Sequence, residues 1–511
     1  MMLKNRDIYM KSALAKIAGY KRVLLSLTKI RYSLSLAIAL LTLVALPESA
    51  KLAPIRPVAV KGEVAFTLTD LAGAEMLDVA DNGKFAVIVG ADTATLVEIK
   101  KNSLEAKGTW TLTEAYLPKG STEAELTGVS ISPDGSYALI GVKDNDEANL
   151  DTFDEKPGKV VAIALPSLKV LGQVTVGRGP DSVAIAPNGQ FAAVANEDEE
   201  NEEDLTNPNN RPGTVSIIDL RYGPARMSQV EVPIPPDNIP FFPNDPQPET
   251  VRISADNRFI LATLQENNAV ARIEVPGWLP RPLRPDVFAV RNFNVGVRVG
   301  VGLTEDKVGK GNCRSSSYDL SLRQEFFSAR EPDGIAITTN GRYFVTANED
   351  NLTSVNNQSY MGIPISPHGS RSISVFEAQN GAFLGDSGNS IENSILALKL
   401  PQRCDSKGPE PEVVDVGMIA GRTLAFVSIE RSDAVTIHDI TDPNKIQLLD
   451  TVILNPSIVS SDRAAEFEPE GIVFIPSTQQ VVVSNPENSS MSLINLTVNR
   501  EERGRPWYRN R

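Results

Sequence analysis

Six carboxylates recur at one position of a repeated pattern: Glu75, Asp181, Glu249, Asp333, Glu412 and Glu470 each open an apolar run that leads into a turn. The second copy has Thr127 at that place and Glu125 two residues before it. Acids gathered at one point can do two kinds of work. They can hold a divalent ion, most plausibly calcium, through carboxylate and carbonyl oxygens, with Glu75, Asp333, Glu412 and Glu470 as the expected ligands. They can instead accept backbone N–H groups of their own turn or of the adjacent unit. Like charges on a narrow ring cannot all stay ionised and unpaired without cost, so they need cations, donors or raised pKa values. Recurrence in nearly every copy favours the structural reading, because a ligand site rarely needs the same group from every repeat. A second acidic set, Asp92, Asp144, Glu197, Glu266, Glu349, Glu430 and Glu487, follows the next apolar run, and Glu197, Glu266, Glu349 and Glu430 are expected to join the first set.

What must position these acids is a repeat. Its clearest copy is REPDGIAITTNGRYFVTANEDNL from Arg330, two strands joined by a turn at Asn340-Gly341 with a polar exit. Six more copies start near Gly73, Glu125, Gly179, Gln247, Glu410 and Glu468. A two-strand hairpin cannot cover its own apolar faces, so copies must stack, and repetition at this period predicts a propeller. Each copy runs into a third strand of similar pattern, from Thr95–Ile99 to Met491–Leu496, whose period of two sets one face against a neighbouring blade. Fourth strands are expected at Leu171–Val176, Gln229–Ile234, Ser394–Leu398 and Ile446–Val452. The seventh copy lacks one, while Gly62–Leu68 stands unpaired ahead of the first. Pairing the two closes the ring and removes an exposed edge. The fold expected is all-β: a seven-bladed β-propeller of four-stranded blades, closed by an N-terminal strand that completes the last blade, with no helical period after residue 50. Its innermost strands line a central channel, and the acids crowd one mouth of it. Surplus length falls in loops, 144–155, 196–212, 233–248, 277–329 and 352–371, where binding surfaces are commonly built.

The first fifty residues differ from the rest. They carry eight Lys or Arg against Asp7 and Glu48, then an apolar run, Leu34–Leu46, too short for the roughly 20 residues of a spanning helix. The expected organisation is a signal peptide or N-terminal anchor over 1–50, a linker over 51–61, the propeller over 62–498 and a basic tail over 499–511. The body is expected outside the cytoplasm, periplasmic, secreted or at the cell surface, with membrane contact only through its N-terminal segment. Without those fifty residues the chain keeps 42 basic and 62 acidic side chains, a net charge near −20, which repels nucleic acid and attracts cations. Only two cysteines occur, Cys313 and Cys404. They form no CxxC zinc motif, and export permits a disulfide between them.

Catalytic motifs are scarce. GxSxG, HExxH and the P-loop are absent, and the two histidines are His438, within a third strand where packing is its expected role, and His368, in a Pro/Gly-rich insertion.

The ordered stretches GPDSVAIAPNGQFAAVANEDEE, EPDGIAITTNGRYFVTANED, FLGDSG from Phe383, EPEVVDVGMIAGRTLAFVSIERSDAVTIHDITDP and EPEGIVFIPSTQQVVVSNPENSSMSLINL together resemble the choice-of-anchor I domain family. That family is similar to mesenchyme-specific cell-surface glycoproteins and to the YVTN and LVIVD repeat propellers of exported proteins. The resemblance spans roughly 65–497 and implies a seven-bladed propeller displayed outside the cytoplasm, in a family without an established activity. The chain departs from the pattern in its fourth copy, with Asn257 at the turn and Gln265-Glu266 where others read Asn-Glu, and in lacking a C-terminal sorting segment, which speaks against cell-wall attachment. The expected function is binding or scaffolding, the loops and acidic mouth facing a protein or surface ligand. The competing expectation is a metal-dependent hydrolase acting on lactones or phosphoesters through carboxylates in the channel.

Overall fold

In the computed structural model, seven four-stranded antiparallel sheets follow one another along the chain as the blades of a β-propeller. Residues 58–146, 149, 154–198, 210–302, 324–349, 358–366, 369–402, 408–459 and 465–500 are described. The first strands are Met76–Val79, Ala124–Ile131, Pro180–Ile185, Pro248–Ile253, Pro332–Ile337, Pro411–Ile419 and Ile472–Ile475. Each is followed by its second and third strands in spatial order.

The second strands are the most deeply covered. Phe191–Asn196, Phe259–Leu264 and Gln480–Asn485 are buried along their whole length. Their near-continuous apolar sequences follow from having a neighbouring blade on each face, where a half-solvated strand would alternate. Apolar clusters lie between adjacent blades. One joins Ala193, Val215, Ile260 and Ala271 of blades 3 and 4. Others couple blades 1 and 2 and blades 7 and 1, and Phe426 stacks on Phe474 at 4.9 Å across blades 6 and 7. The turns between first and second strands need a residue of positive φ, supplied by Gly83, Gly135, Gly189 and Gly341 at φ +66 to +69°. In the fourth copy Asn257 takes φ +60°, a conformation Asn tolerates better than most, so the altered turn keeps its shape.

The ring closes as the repeat predicts. Val58–Leu68 pairs with Ser490–Arg500 as the outermost strand of blade 7. Gly62 N–H donates to Asp450 of blade 6 at 2.9 Å, and a Cβ at Gly62 would meet Val452 at 2.4 Å, so the glycine permits this close approach.

Outer strands depart most from expectation. The segment expected as a fourth strand at Ser394–Leu398 is instead part of a helix, Ser390–Leu398, which also corrects the expectation of no helix after residue 50. Ile391, Ile395, Leu396 and Leu400 recur at helical spacing and are buried between blades 5 and 6. The fourth strand of blade 5 is Phe383–Asp386. Blades 1 and 4 have fourth strands at Ser103–Thr111 and Ala289–Asn294 that carry little apolar signal. Within 277–329, the strands Val297–Gly302 and Gln324–Ala329 form a separate hairpin. Cys313, Cys404 and His368 lie outside the described residues, and with them the expected disulfide.

Candidate functional site: an acidic channel mouth

A β-bulge aims the acids. In blades 3 to 6 the first strand begins with a paired proline, Pro180, Pro248, Pro332 or Pro411, and the register shifts across the next two residues. The acid is the first residue of that shift: Asp181, Glu249, Asp333 and Glu412. A bulge breaks the strict up-and-down alternation and re-aims a side chain. Blade 2 has the same shift around Thr127, which donates to the Pro180 carbonyl of blade 3.

Glycines let the first strands close on one another. A Cβ on Gly334, the residue after Asp333, would meet the Glu412 carbonyl oxygen at 2.4 Å, and one on Gly128 would meet the Asp181 carbonyl at 2.6 Å. Gly334 thereby brings Asp333 of blade 5 beside Glu412 of blade 6. The two carboxyl groups face each other closely enough to share a proton, and burial together with Glu349 and Glu470 drives both far above the usual carboxylate range.

The mutual repulsions run around the axis. Glu75 is raised by burial, then by Glu125 and Asp181. Glu249 is raised by burial, then by Glu197, Glu266, Asp181 and Glu349. Burial pushes Glu470 up to about 8, with Glu75 and Glu349 adding to it, and Glu430 rises through burial, Glu412 and Glu470. Two ionised carboxylates about 5 Å apart repel by roughly 3 kcal/mol at an effective dielectric near 20. The ring therefore takes up protons or cations at neutral pH.

The structure thus gathers all six acids of the first set with Glu197, Glu266, Glu349 and Glu430 of the second. Asp92 and Glu487 stay exposed at hairpin tips. Asp144 turns to its own loop, where it accepts from Lys156 N–H at 2.8 Å and Asn149 at 3.0 Å. Among the described residues, two cations reach the mouth. Lys143 lies 3.9 Å from Glu197, and Arg431 pairs with Glu410 at 3.1 Å, with Glu430 at 2.8 Å and with Glu468. Asp433, fully buried, accepts the N–H groups of Glu466, Phe467 and Glu468 and so fixes the connection that delivers Glu468 and Glu470. The departure from the repeat in blade 4 has a use here, since Gln265 donates to Glu349 of blade 5.

The backbone-accepting role expected of the ring falls to other residues. Glu75, Glu249, Asp333, Glu412 and Glu470 accept no side-chain-to-backbone hydrogen bond among the described residues. Three positions deeper, Asp78 accepts from Val79 N–H at 2.8 Å and from Ile131 N–H of blade 2 at 2.7 Å. Asp415 accepts from Val416 and from Phe474 of blade 7, both at 2.7 Å. Ser130 accepts likewise from Ile185 of blade 3 at 3.0 Å. Burial lifts Asp78 to about 6 although both hydrogen bonds oppose it. These residues line a channel of about 680 Å³ with contributions from every blade, in which Arg252 of blade 4 is the cation facing Asp78 and Asp415. Sequence reasoning missed this tier because only two of seven copies carry an acid there.

His438 is completely buried, bonded to Thr436 at 3.1 Å, and burial holds it down at about 3, so it is a neutral packing residue.

The family model of the choice-of-anchor I domain matches residues 75–277 and 357–443, more than half of the chain. The chain belongs to the choice-of-anchor I domain family. The matched segments carry Glu75, Asp181, Glu249 and Glu412 of the ring. No curated protein matches the chain. Among solved structures, it is similar to hydrazine synthase of Kuenenia stuttgartiensis at 14% identity, over 84% of this chain and 96% of that one, with a TM-score of 0.44. It is also similar to the Cps50 (Swd1) β-propeller domain of Myceliophteria thermophila, at 11% identity over 84% and 98% with a TM-score of 0.47. The WD40 repeats of RRP9 align at 10% identity over 86% and 98%, with a TM-score of 0.49. Likenesses at this level carry no argument about activity.

Proposed function

We propose that this choice-of-anchor I propeller is an exported binding module that receives cationic groups of a partner at its acidic channel mouth. The observation that carries the reading is the unbroken circuit of carboxylates, Glu75 to Asp181 to Glu249 to Asp333 to Glu412 to Glu470 and back to Glu75, with Lys143 and Arg431 as the cations acting on it. A concave surface of one sign, held on rigid strands, concentrates oppositely charged ligands and speeds their capture. The charge of the body and the basic, apolar N-terminal segment support a site of action outside the cytoplasm. The second reading, a metal-dependent hydrolase, draws on the closeness of Asp333, Glu349 and Glu412.

Titration of the purified body with spermine and with a lysine-rich peptide tests the first reading. Binding that weakens steeply with salt and is reduced in Glu75→Gln and Asp181→Asn supports it; no binding of either probe at low salt overturns it. Lactone or phosphoester turnover that needs a divalent metal and is abolished by Glu470→Gln would put the hydrolase in its place.

A further inference from the structure

Behind the acidic mouth the channel changes character. Its cavity of about 680 Å³ is lined by none of the six ring acids, and it reaches the opposite face of the propeller, where the exposed Asp81, Pro187, Met418 and Pro476 form a rim beside the first turns. That volume lies in the range of pockets that enclose small molecules, which are mostly apolar with a few placed polar groups. Half-buried Val79, Ile185, Ile253 and Val416 supply an apolar belt.

One level of the wall carries the polar groups. Three positions after the ring acid, or after Thr127 in the second copy, stand Asp78, Ser130, Arg252 and Asp415. Asp78, Ser130 and Asp415 each accept a backbone N–H of the next blade, and both oxygens of each aspartate are engaged with main chain. Arg252 holds the same place in blade 4 and cannot do that work, because a guanidinium has five N–H donors and no acceptor. Among the described residues its one hydrogen bond runs from Nη1 to the Val251 carbonyl at 2.9 Å, and it makes no ion pair. Asp78 and Asp415 act on it only through their charge. An arginine placed merely to offset an aspartate closes on it as Arg221 does, gripping Asp219 with Nε at 2.8 Å and Nη2 at 2.5 Å. Arg252 keeps that fork for the cavity it lines.

We propose that the channel behind the mouth binds a free apolar amino acid, its carboxylate on Arg252, its ammonium toward Asp78 and Asp415, and its side chain on the belt of Val79, Ile185, Ile253 and Val416. Charge decides the class of ligand. A guanidinium takes a carboxylate through two parallel N–H···O bonds. The two aspartates outnumber the arginine, so a phosphate or other dianion is repelled, whereas a ligand bearing both signs is matched. The belt adds hydrophobic burial of an aliphatic or aromatic side chain. This site goes beyond the cation-receiving mouth and shares no ring acid with it.

The test is calorimetric titration of the full chain with L-leucine and L-phenylalanine, with thermal unfolding in parallel. 4-Methylpentanoate and 3-methylbutylamine serve as comparisons, because each keeps the leucine body with only one of its charges. About one leucine or phenylalanine per chain, raising the unfolding temperature, is expected, with 4-methylpentanoate and 3-methylbutylamine each at least about tenfold weaker than leucine. Arg252→Gln should weaken amino-acid binding at least about tenfold, and Asp92→Asn, at an exposed hairpin tip, should change it less than about twofold. Circular dichroism checks that both variants fold, and the comparison of leucine with its two halves on the unaltered chain decides the matter without them. Absence of binding heat and of any thermal shift with both amino acids overturns the proposal. So does 4-methylpentanoate binding as tightly as leucine, which removes the role of the aspartates, or undiminished binding in folded Arg252→Gln, which places the ligand elsewhere. Spermine binding reports on the mouth alone, so the two readings fail separately.

Discussion

Glu412 and Asp415 stand three residues apart on one strand, both carboxylates and both in the channel wall, yet they do opposite work. Asp415 accepts two backbone N–H groups, one of them from the next blade, and so acts as a fastener between sheets. Glu412 accepts none, leaves Oε1 bare and faces three other acids. Asp78 and Glu75 repeat the contrast in blade 1. Residue type alone does not separate structural from receptive acids; depth along the strand does. The bulge behind each proline turns the first acid toward the axis, and the regular strand beyond it presents the second to the neighbouring blade's main chain.

The largest effect should come from removing the fasteners. Asp415→Ala leaves the Val416 and Phe474 N–H groups without their acceptor, at roughly 1–3 kcal/mol for each orphan, so a loss of about 2–6 kcal/mol is expected in urea unfolding. Asp78→Ala should behave alike. Next comes Gly334→Ala, whose Cβ has a backbone oxygen at 2.4 Å and must push blades 5 and 6 apart, costing about 1–3 kcal/mol. The receptive acids should show the reverse sign. Glu412→Gln removes one member of a repelling group and is expected to stabilise the metal-free chain at pH 8 by about 1 kcal/mol or more. A loss of stability there would erase the distinction between the two tiers.

A pH series sharpens the same contrast. The folded pKa of Glu470, about 8, lies above its ordinary 4.5 because burial and neighbouring acids disfavour its charge. Its contribution is therefore favourable below about 4.5 and is lost as pH rises toward 8. The urea midpoint of the metal-free chain should fall between pH 5 and pH 8, less steeply in Glu470→Gln. The smallest effects belong to Asp92→Asn and Glu487→Gln at exposed hairpin tips, expected within about 0.5 kcal/mol of the parent.

The blade count, the closure and the phase of the acids could be read from the chain because the turn between first and second strands recurs with the same chemistry, and a fixed turn keeps everything near it in register. Further out the signal fades. Ser103–Thr111 alternates exposed and half-covered residues, with only Leu104 fully buried, so it offers weak apolar contrast. The stretch Ser390–Leu398 could be scanned as a short strand until its buried apolar positions, 391, 395 and 396, are counted at helical spacing. At the mouth, sequence supplied the first ring but not its division. Which acids pair with Arg431, which is steadied by Gln265 and which is left bare depend on contacts between blades. One cue was available: proline directly before the acid in blades 3 to 7, which in blades 3 to 6 marks a strand that starts and then shifts register.

The pairing of Val58–Leu68 with Ser490–Arg500 also sets when this protein can finish folding. The ribosome makes the first of these strands about 430 residues before the second, so no nascent or truncated chain can possess a closed ring. Loop-closure entropy grows only slowly with length, but contacts of such long sequence separation form late and slow the search. Until the last strand arrives, the edge of blade 7 is open to any other extended chain, which makes the interval before synthesis is complete the period of exposure to misassembly.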